Sequence, residues 1–253
     1  MSTAIGEEKN GPSMSFFGHL AELRKRLITA LSVFLLVSVA SFNWSEELAD
    51  FIILPAKDIA FVFLSPPDLF MLYIKIALSM GLFISLPVII FELWMFISPA
   101  LLPREKRSIF FSLLAGGVLF ISGAAFSYFV IIPFTIRFFM SYQSAYVKPM
   151  ISINEYFGFV ISLALSFGAA FELPVLASLL GAFGILKAEL LIRIRRIAVL
   201  LIFVAASIIT PPDVVSQVLL ALPMIGLYEL SVLILKRQEK RRAKKEAQVE
   251  VSI

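Results

Sequence analysis

Between Glu155 and Lys187 the sequence carries a single charged residue, Glu172. A helix crosses about 30 Å of hydrocarbon with about 20 apolar residues, and this stretch is longer than that. The same demand recurs along the chain, in apolar runs at 27–42, 70–97, 109–134, 153–180, 197–209 and 214–235. No water-soluble core absorbs so many uninterrupted runs. The chain is 60% hydrophobic and 16% charged, where soluble domains sit near half and a quarter. The fold class predicted is therefore an all-α integral membrane protein with six transmembrane helices. They form one membrane domain over residues 1–235, followed by a basic extension at 236–253. The fifth run is short for a bilayer. Pro211 and Pro212 cannot continue a helix, so "TPPD" (Thr210 to Asp213) splits it from the sixth.

Basic residues orient the spans. Of the 22 Lys and Arg, 18 fall in the N-terminal segment, the second-to-third and fourth-to-fifth connections and the C-terminal extension. Positive residues mark the cytoplasmic side, which places both termini there. The extension beyond Lys236 has no apolar periodicity and reads as a solvated, frayed segment attracted to anionic headgroups. Leu27 to Ala40, behind "RKR", has the outline of a cleavable leader. The long preceding segment with Glu22 argues instead for a retained span. On the opposite side, "WSEELADFIILPAK" (Trp44 to Lys57) predicts a short amphipathic helix stopped at Pro55, and Tyr142 and Tyr146 suit a membrane interface.

Glu172 needs a reason to be there. Its run from Tyr156 to Gly181 holds 13 Phe, Val, Ile and Leu residues, which favour insertion by roughly 4 to 8 kcal/mol, against roughly 2.5 to 3.5 kcal/mol for a central acid. Insertion wins, yet the acid still costs. It either pairs with a neighbouring helix or meets something that moves or docks in the membrane. The small residues Ser162, Ser166, Gly168, Ala169 and Ala170 make room for a recess, and Pro174 should bend the helix. Glu92, Glu229 and Lys75 lie near helix ends and read as snorkelling side chains. Asp213 suits a helix N-cap. Gln217, one turn on, suits a bond to a partner helix. Ser112 with Gly116, and Gly123 with Ser127, form small-xxx-small pairs.

Several chemistries are excluded. Without cysteine there are no disulfides and no thiolate metal sites, and with His19 as the one histidine there is no HExxH motif. No metal and no cofactor is expected, and no P-loop is present. The spans hold no Ser–His pairing or paired aspartates, which sets aside an intramembrane enzyme. A secondary transporter or proton-coupled channel using Glu172 as its ion site explains the acid equally well. It leaves the acids at the cytoplasmic mouth unexplained, and the internal repeat usual in transporters is not seen.

Four local patterns coincide in order and spacing: "HLAELRKR" (His19 to Arg26), "FISPALLPREKR" (Phe96 to Arg107), "FGAAFELP" (Phe167 to Pro174) and "PPDVVSQVLLALP" (Pro211 to Pro223). With six spans and both ends inside, the chain closely resembles the TatC family, the largest core subunit of the twin-arginine translocase, from about Phe17 to Leu235. The resemblance implies a non-enzymatic receptor for signal peptides bearing consecutive arginines. It would work with TatA-type and TatB-type single-span subunits and export folded proteins on the proton-motive force. It further implies contact with membrane lipids, self-association within the complex, no nucleic acid partner, and residence in the bacterial cytoplasmic membrane or, alternatively, the thylakoid. Carried over, Glu22 and Glu105 hold the arginine pair with Phe96 and Arg24 beside them. Glu172 is the intramembrane polar site, and Asp213 and Gln217 dock partners. Two carboxylates suit this task because a guanidinium donates in a fork that a carboxylate accepts. Local pairing is the competing expectation: Glu22 with Arg26 at i,i+4, and Glu105 with Arg104 or Lys106.

Overall fold

The computed structural model describes residues 16–57, 59–100, 103–142, 150–209 and 214–251. The helices in order are α1 (Phe16–Ser41), α2 (Ser45–Ile53), α3 (Pro67–Ile97), α4 (Pro103–Phe126), α5 (Ile132–Met140), α6 (Ile153–Phe171), α7 (Leu173–Ala182), α8 (Ala188–Ile209) and α9 (Val214–Val251). Two two-residue strands, β1 (Phe61–Val62) and β2 (Ile151–Ser152), pair in parallel, Phe61 with Ile151 and Val62 with Ser152. Among the described residues, five helical stretches are long and apolar enough to cross a membrane: Gly18–Ala56, Pro67–Ile97, Ile109–Met140, Ile153–Ala182 and Val214–Lys244. The helix that falls short is α8, whose apolar part is the short fifth run and whose first turns carry Arg193, Arg195 and Arg196.

Packing follows from small residues. Along the antiparallel pair α1–α3, a Cβ on Gly81 would fall on Ser38. Between α4 and α6, a Cβ on Gly123 would fall on the Phe167 carbonyl oxygen, and one on Gly168 would meet the Phe120 ring at 2.9 Å. The core that these contacts enclose centres on Leu72, Ile76, Ile132, Phe157, Leu163, Phe167 and Leu220, all essentially without solvent exposure. The outward faces are the reverse of a soluble protein's. Leu36, Val39, Phe129, Ile208 and Leu222 are each at least 61% exposed, and hydrocarbon is the solvent that such faces require.

Two prolines shape the long helices, and one of them, Pro174, does so as the sequence suggests. Pro174 cannot bond back to Ala170, and the helix breaks at Glu172, with α7 starting at Leu173. Before Pro133, a π-helical turn at Ser127–Ile131 joins α4 to α5. There the Ile132 N–H reaches back five residues to Ser127, a single-turn bulge of the kind that takes up a mid-helix proline.

The predicted amphipathic segment is α2. Two of its last-turn carbonyls also accept side-chain hydroxyls. Tyr128 OH donates to the Phe51 carbonyl, and Tyr156 OH donates to the Ile52 carbonyl at 2.8 Å. Tyr156→Phe is expected to lower stability by about 1 kcal/mol, the usual net worth of such a bond, read as a lower midpoint in thermal unfolding of the detergent-solubilised chain.

The extension beyond Lys236 departs from the frayed segment expected. Helix α9 continues to Val251, and its polar turns hold the α7–α8 connection. Gln238 Nε2 donates to Ser178 Oγ at 2.6 Å, Glu239 Oε1 accepts the Ala188 N–H at 2.8 Å, and Arg242 donates to the Ala182 carbonyl. An acid thus sits on the positive end of α8 and a base on the negative end of α7, each matched to its helix dipole. Gly184, at φ +74°, makes the turn that brings these ends together. A Cβ would disfavour that backbone.

Candidate functional site

The antiparallel pairing of α1 with α3 brings the start of one against the end of the other. His19, Glu22 and Arg26 lie three and four residues apart and so share one face of α1. Glu92 and Phe96, four apart, share one face of α3. The two faces meet. His19 stacks on Phe96 with ring centroids 4.4 Å apart. Arg26 Nη1 donates to Glu92 Oε2 at 3.1 Å, and Arg26 Nη2 donates to Glu22 Oε1 at 3.4 Å. The three charged side chains are 22% (Arg26), 15% (Glu22) and 12% (Glu92) exposed. Among the described residues, Glu22 Oε2 and Arg26 Nε are buried with no hydrogen-bond partner.

The structure thus brings Glu22 and Phe96 together and adds His19, Arg26 and Glu92. Arg24 is exposed to one side. Glu105 lies on the first turns of α4, and its side chain is outside the described set, as are Asp213 and Tyr146. The local pair Glu22–Arg26 does form. Glu92, which its place near a helix end marks for snorkelling, is instead half of an interhelical ion pair. Its signal in the sequence was its i,i+4 spacing from Phe96.

Glu172 sits at the α6–α7 break, half-buried. Its carboxylate lies against α4, where a Cβ on Gly116 would meet Oε2 at 2.7 Å. The small residue at Gly116 therefore makes the space that the acid occupies. Among the described residues no hydrogen bond or ion pair reaches that carboxylate. At the same α6–α7 break, a cleft of about 360 Å³ is bordered by Ala115, Leu119, Phe171, Pro174, Val175 and Leu227.

The polar residues of the last two helices are tied to one another. Gln217 Nε2 donates to the Phe203 carbonyl at 2.9 Å, so its amide fastens α9 to α8. Arg195 grips Glu229 with two nitrogens, Nε at 2.8 Å and Nη2 at 2.9 Å, in place of a snorkelling acid. Lys75 Nζ, likewise, donates to Asn154 Oδ1 at 2.7 Å. The outer face of α8 keeps an apolar stripe at helical spacing: Ile197, Leu201, Val204 and Ile208, all exposed.

The family model described as Sec-independent protein translocase protein (TatC) matches residues 18–223. The chain belongs to the TatC family. A TatC from Helicobacter pylori strain J99 is 41% identical over 218 residues, covering 86% of this chain and 87% of its own. The Aquifex aeolicus TatC is 36% identical over 236 residues, covering 91% and 97%. A crystal structure of a twin-arginine translocase receptor, TatC, superposes with a TM-score of 0.80 at 35% identity, covering 87% of this chain and 99% of that one. Membership makes this chain a core component of a protein translocase embedded in a membrane.

Proposed function

We propose that this chain is the receptor subunit of a twin-arginine translocase. It binds leader peptides carrying consecutive arginines and nucleates assembly of the complex that exports folded proteins on the proton-motive force. In this reading the chain crosses the bacterial cytoplasmic membrane six times, α8 being the short span, with both termini in the cytoplasm. The single observation that carries the reading is the α1–α3 site. An acid, Glu22, stands beside Phe96 with one buried oxygen that has no described partner, a group that a forked donor satisfies. Glu105, on the first turn of α4, would supply the second carboxylate, and Arg24 the flank. The apolar part of the leader would lie along the helices towards Glu172. The exposed stripe on α8, with Asp213 and Gln217 at the head of α9, would dock TatA-type and TatB-type single-span subunits.

The test is photo-crosslinking from positions around Phe96 to a leader peptide with Arg-Arg, set against the same peptide with Lys-Lys. Strong labelling by the arginine peptide alone is expected, and equal labelling by both would overturn the reading. A channel or transporter that uses Glu172 predicts instead robust proton or solute flux in liposomes holding this chain alone.

Glu172→Leu separates cost from use. Its carboxylate is half-buried without a described partner, and replacing such an acid by an apolar side chain removes a desolvation cost. Thermal stability is expected to hold or rise, while export of a folded reporter in cells carrying only the variant falls severalfold. Full export would show that the acid is dispensable.

A further inference from the structure

The cluster formed by Arg26, Glu22 and Glu92 is out of balance. Two carboxylates face one guanidinium, all three largely withdrawn from water, so among the described residues this cluster holds one negative charge in excess. The neighbouring bases Arg24 and Lys25 are exposed on other faces of α1. The sharing is also unequal. The bond from Arg26 to Glu92 is 3.1 Å, whereas the contact to Glu22 is 3.4 Å, beyond the usual range for an N–H···O bond. Glu22 Oε2 and Arg26 Nε, which a full fork-to-carboxylate pairing would join, are both without a partner among the described residues.

We infer that Arg26 is an internal stand-in for a leader's guanidinium, and that Glu92 is a positioning residue that keeps Arg26 in place when Glu22 changes partner. This rests on the leader-binding reading of the site. On arrival of a leader arginine, Arg26 keeps its bond to Glu92, and Glu22 turns from the loose contact with Arg26 to the incoming fork. One ion pair replaces another, and the excess negative charge is neutralised. At no stage is a buried charge left alone, the state that makes breaking such pairs expensive. The exchange also selects. A ligand must displace a guanidinium already poised on Glu22. A leader arginine does so with the same planar fork, while a lysine brings a compact ammonium without one.

The test is peptide binding, by fluorescence anisotropy, to the full chain in lipid nanodiscs. Arg-Arg and Lys-Lys peptides are compared on the unaltered chain, Glu92→Gln, Arg26→Gln and the double variant, each checked for folding by thermal unfolding. With Glu92→Gln, Arg26 has Glu22 as its one remaining acid, and Arg-Arg binding is expected to weaken at least fivefold. Arg26→Gln is expected to bind Arg-Arg no more weakly than the unaltered chain and to narrow the ratio of Arg-Arg to Lys-Lys affinity. In the double variant the loss due to Glu92→Gln is expected to shrink below twofold. An unaltered chain that prefers Arg-Arg while Glu92→Gln binds just as well overturns the exchange alone. So does an equal loss from Glu92→Gln with and without Arg26, which would place Glu92 on the leader itself. Should Glu92→Gln not fold, an unchanged peptide ratio in Arg26→Gln overturns it. If the unaltered chain binds both peptides equally, the leader-binding reading fails, and the exchange with it.

Discussion

Exchanging Glu22 for Gln is expected to lower the affinity of the full chain for an Arg-Arg leader at least tenfold and to erase most of its preference over Lys-Lys. A hydrogen bond to a charged partner is worth about 1.5 to 3 kcal/mol, and tenfold corresponds to about 1.4 kcal/mol. An amide keeps the shape of the acid but accepts with one atom and carries no charge, so the forked pairing is lost. The fold should survive, because Arg26 retains Glu92 at 3.1 Å and no buried guanidinium is stranded. A titration at fixed moderate salt reads the effect, since exposed charges on the basic end are screened there. Unchanged affinity would remove Glu22 from the site.

The second large effect belongs to the scaffold. Gly123→Ala adds one carbon where α4 touches the α6 backbone, on the Phe167 carbonyl and 2.9 Å from the Phe171 ring. A ring tip can swing aside, but a helix backbone cannot. The cost is expected at about 1 to 3 kcal/mol, as for other forced overpacking, despite the gain in helix propensity. Gly158→Ala and Gly226→Ala are the controls. A Cβ at either position meets nothing within 4 Å, and the better helix former should leave the unfolding midpoint unchanged or raise it. If all three variants unfold alike, close approach at Gly123 does not limit stability.

These expectations show where a sequence speaks and where it does not. Five of the six apolar runs fall within helical stretches long and apolar enough to cross a membrane, because lipid imposes a length and a composition on each segment separately. They did not locate the helix ends. The third run, 109–134, lies inside a continuous helical stretch that begins at Pro103 and reaches Met140 through the π turn. Hydrocarbon sets the length of the apolar part alone, while backbone hydrogen bonding carries the helix on into polar residues. Proline effects at Pro174 and the amphipathic α2 were readable because both are local. The partner of Arg26 was only half readable. Glu22 is one turn away, but Glu92 is 66 residues distant, and no local pattern encodes which two helices lie side by side. The same holds for the extension. Gln238, Glu239 and Arg242 look like an unpatterned charged segment until the α7–α8 turn they hold is seen in space.

That turn also fixes an order of events. The acid that satisfies the Ala188 N–H stands 51 residues further along the chain. At ribosomal rates of about 5 to 20 residues per second, it is made some 3 to 10 s after Ala188 itself. Throughout that interval the Ala188 N–H lacks the side chain that accepts it in the folded chain. The α7–α8 turn is therefore held by a helix that is made after it.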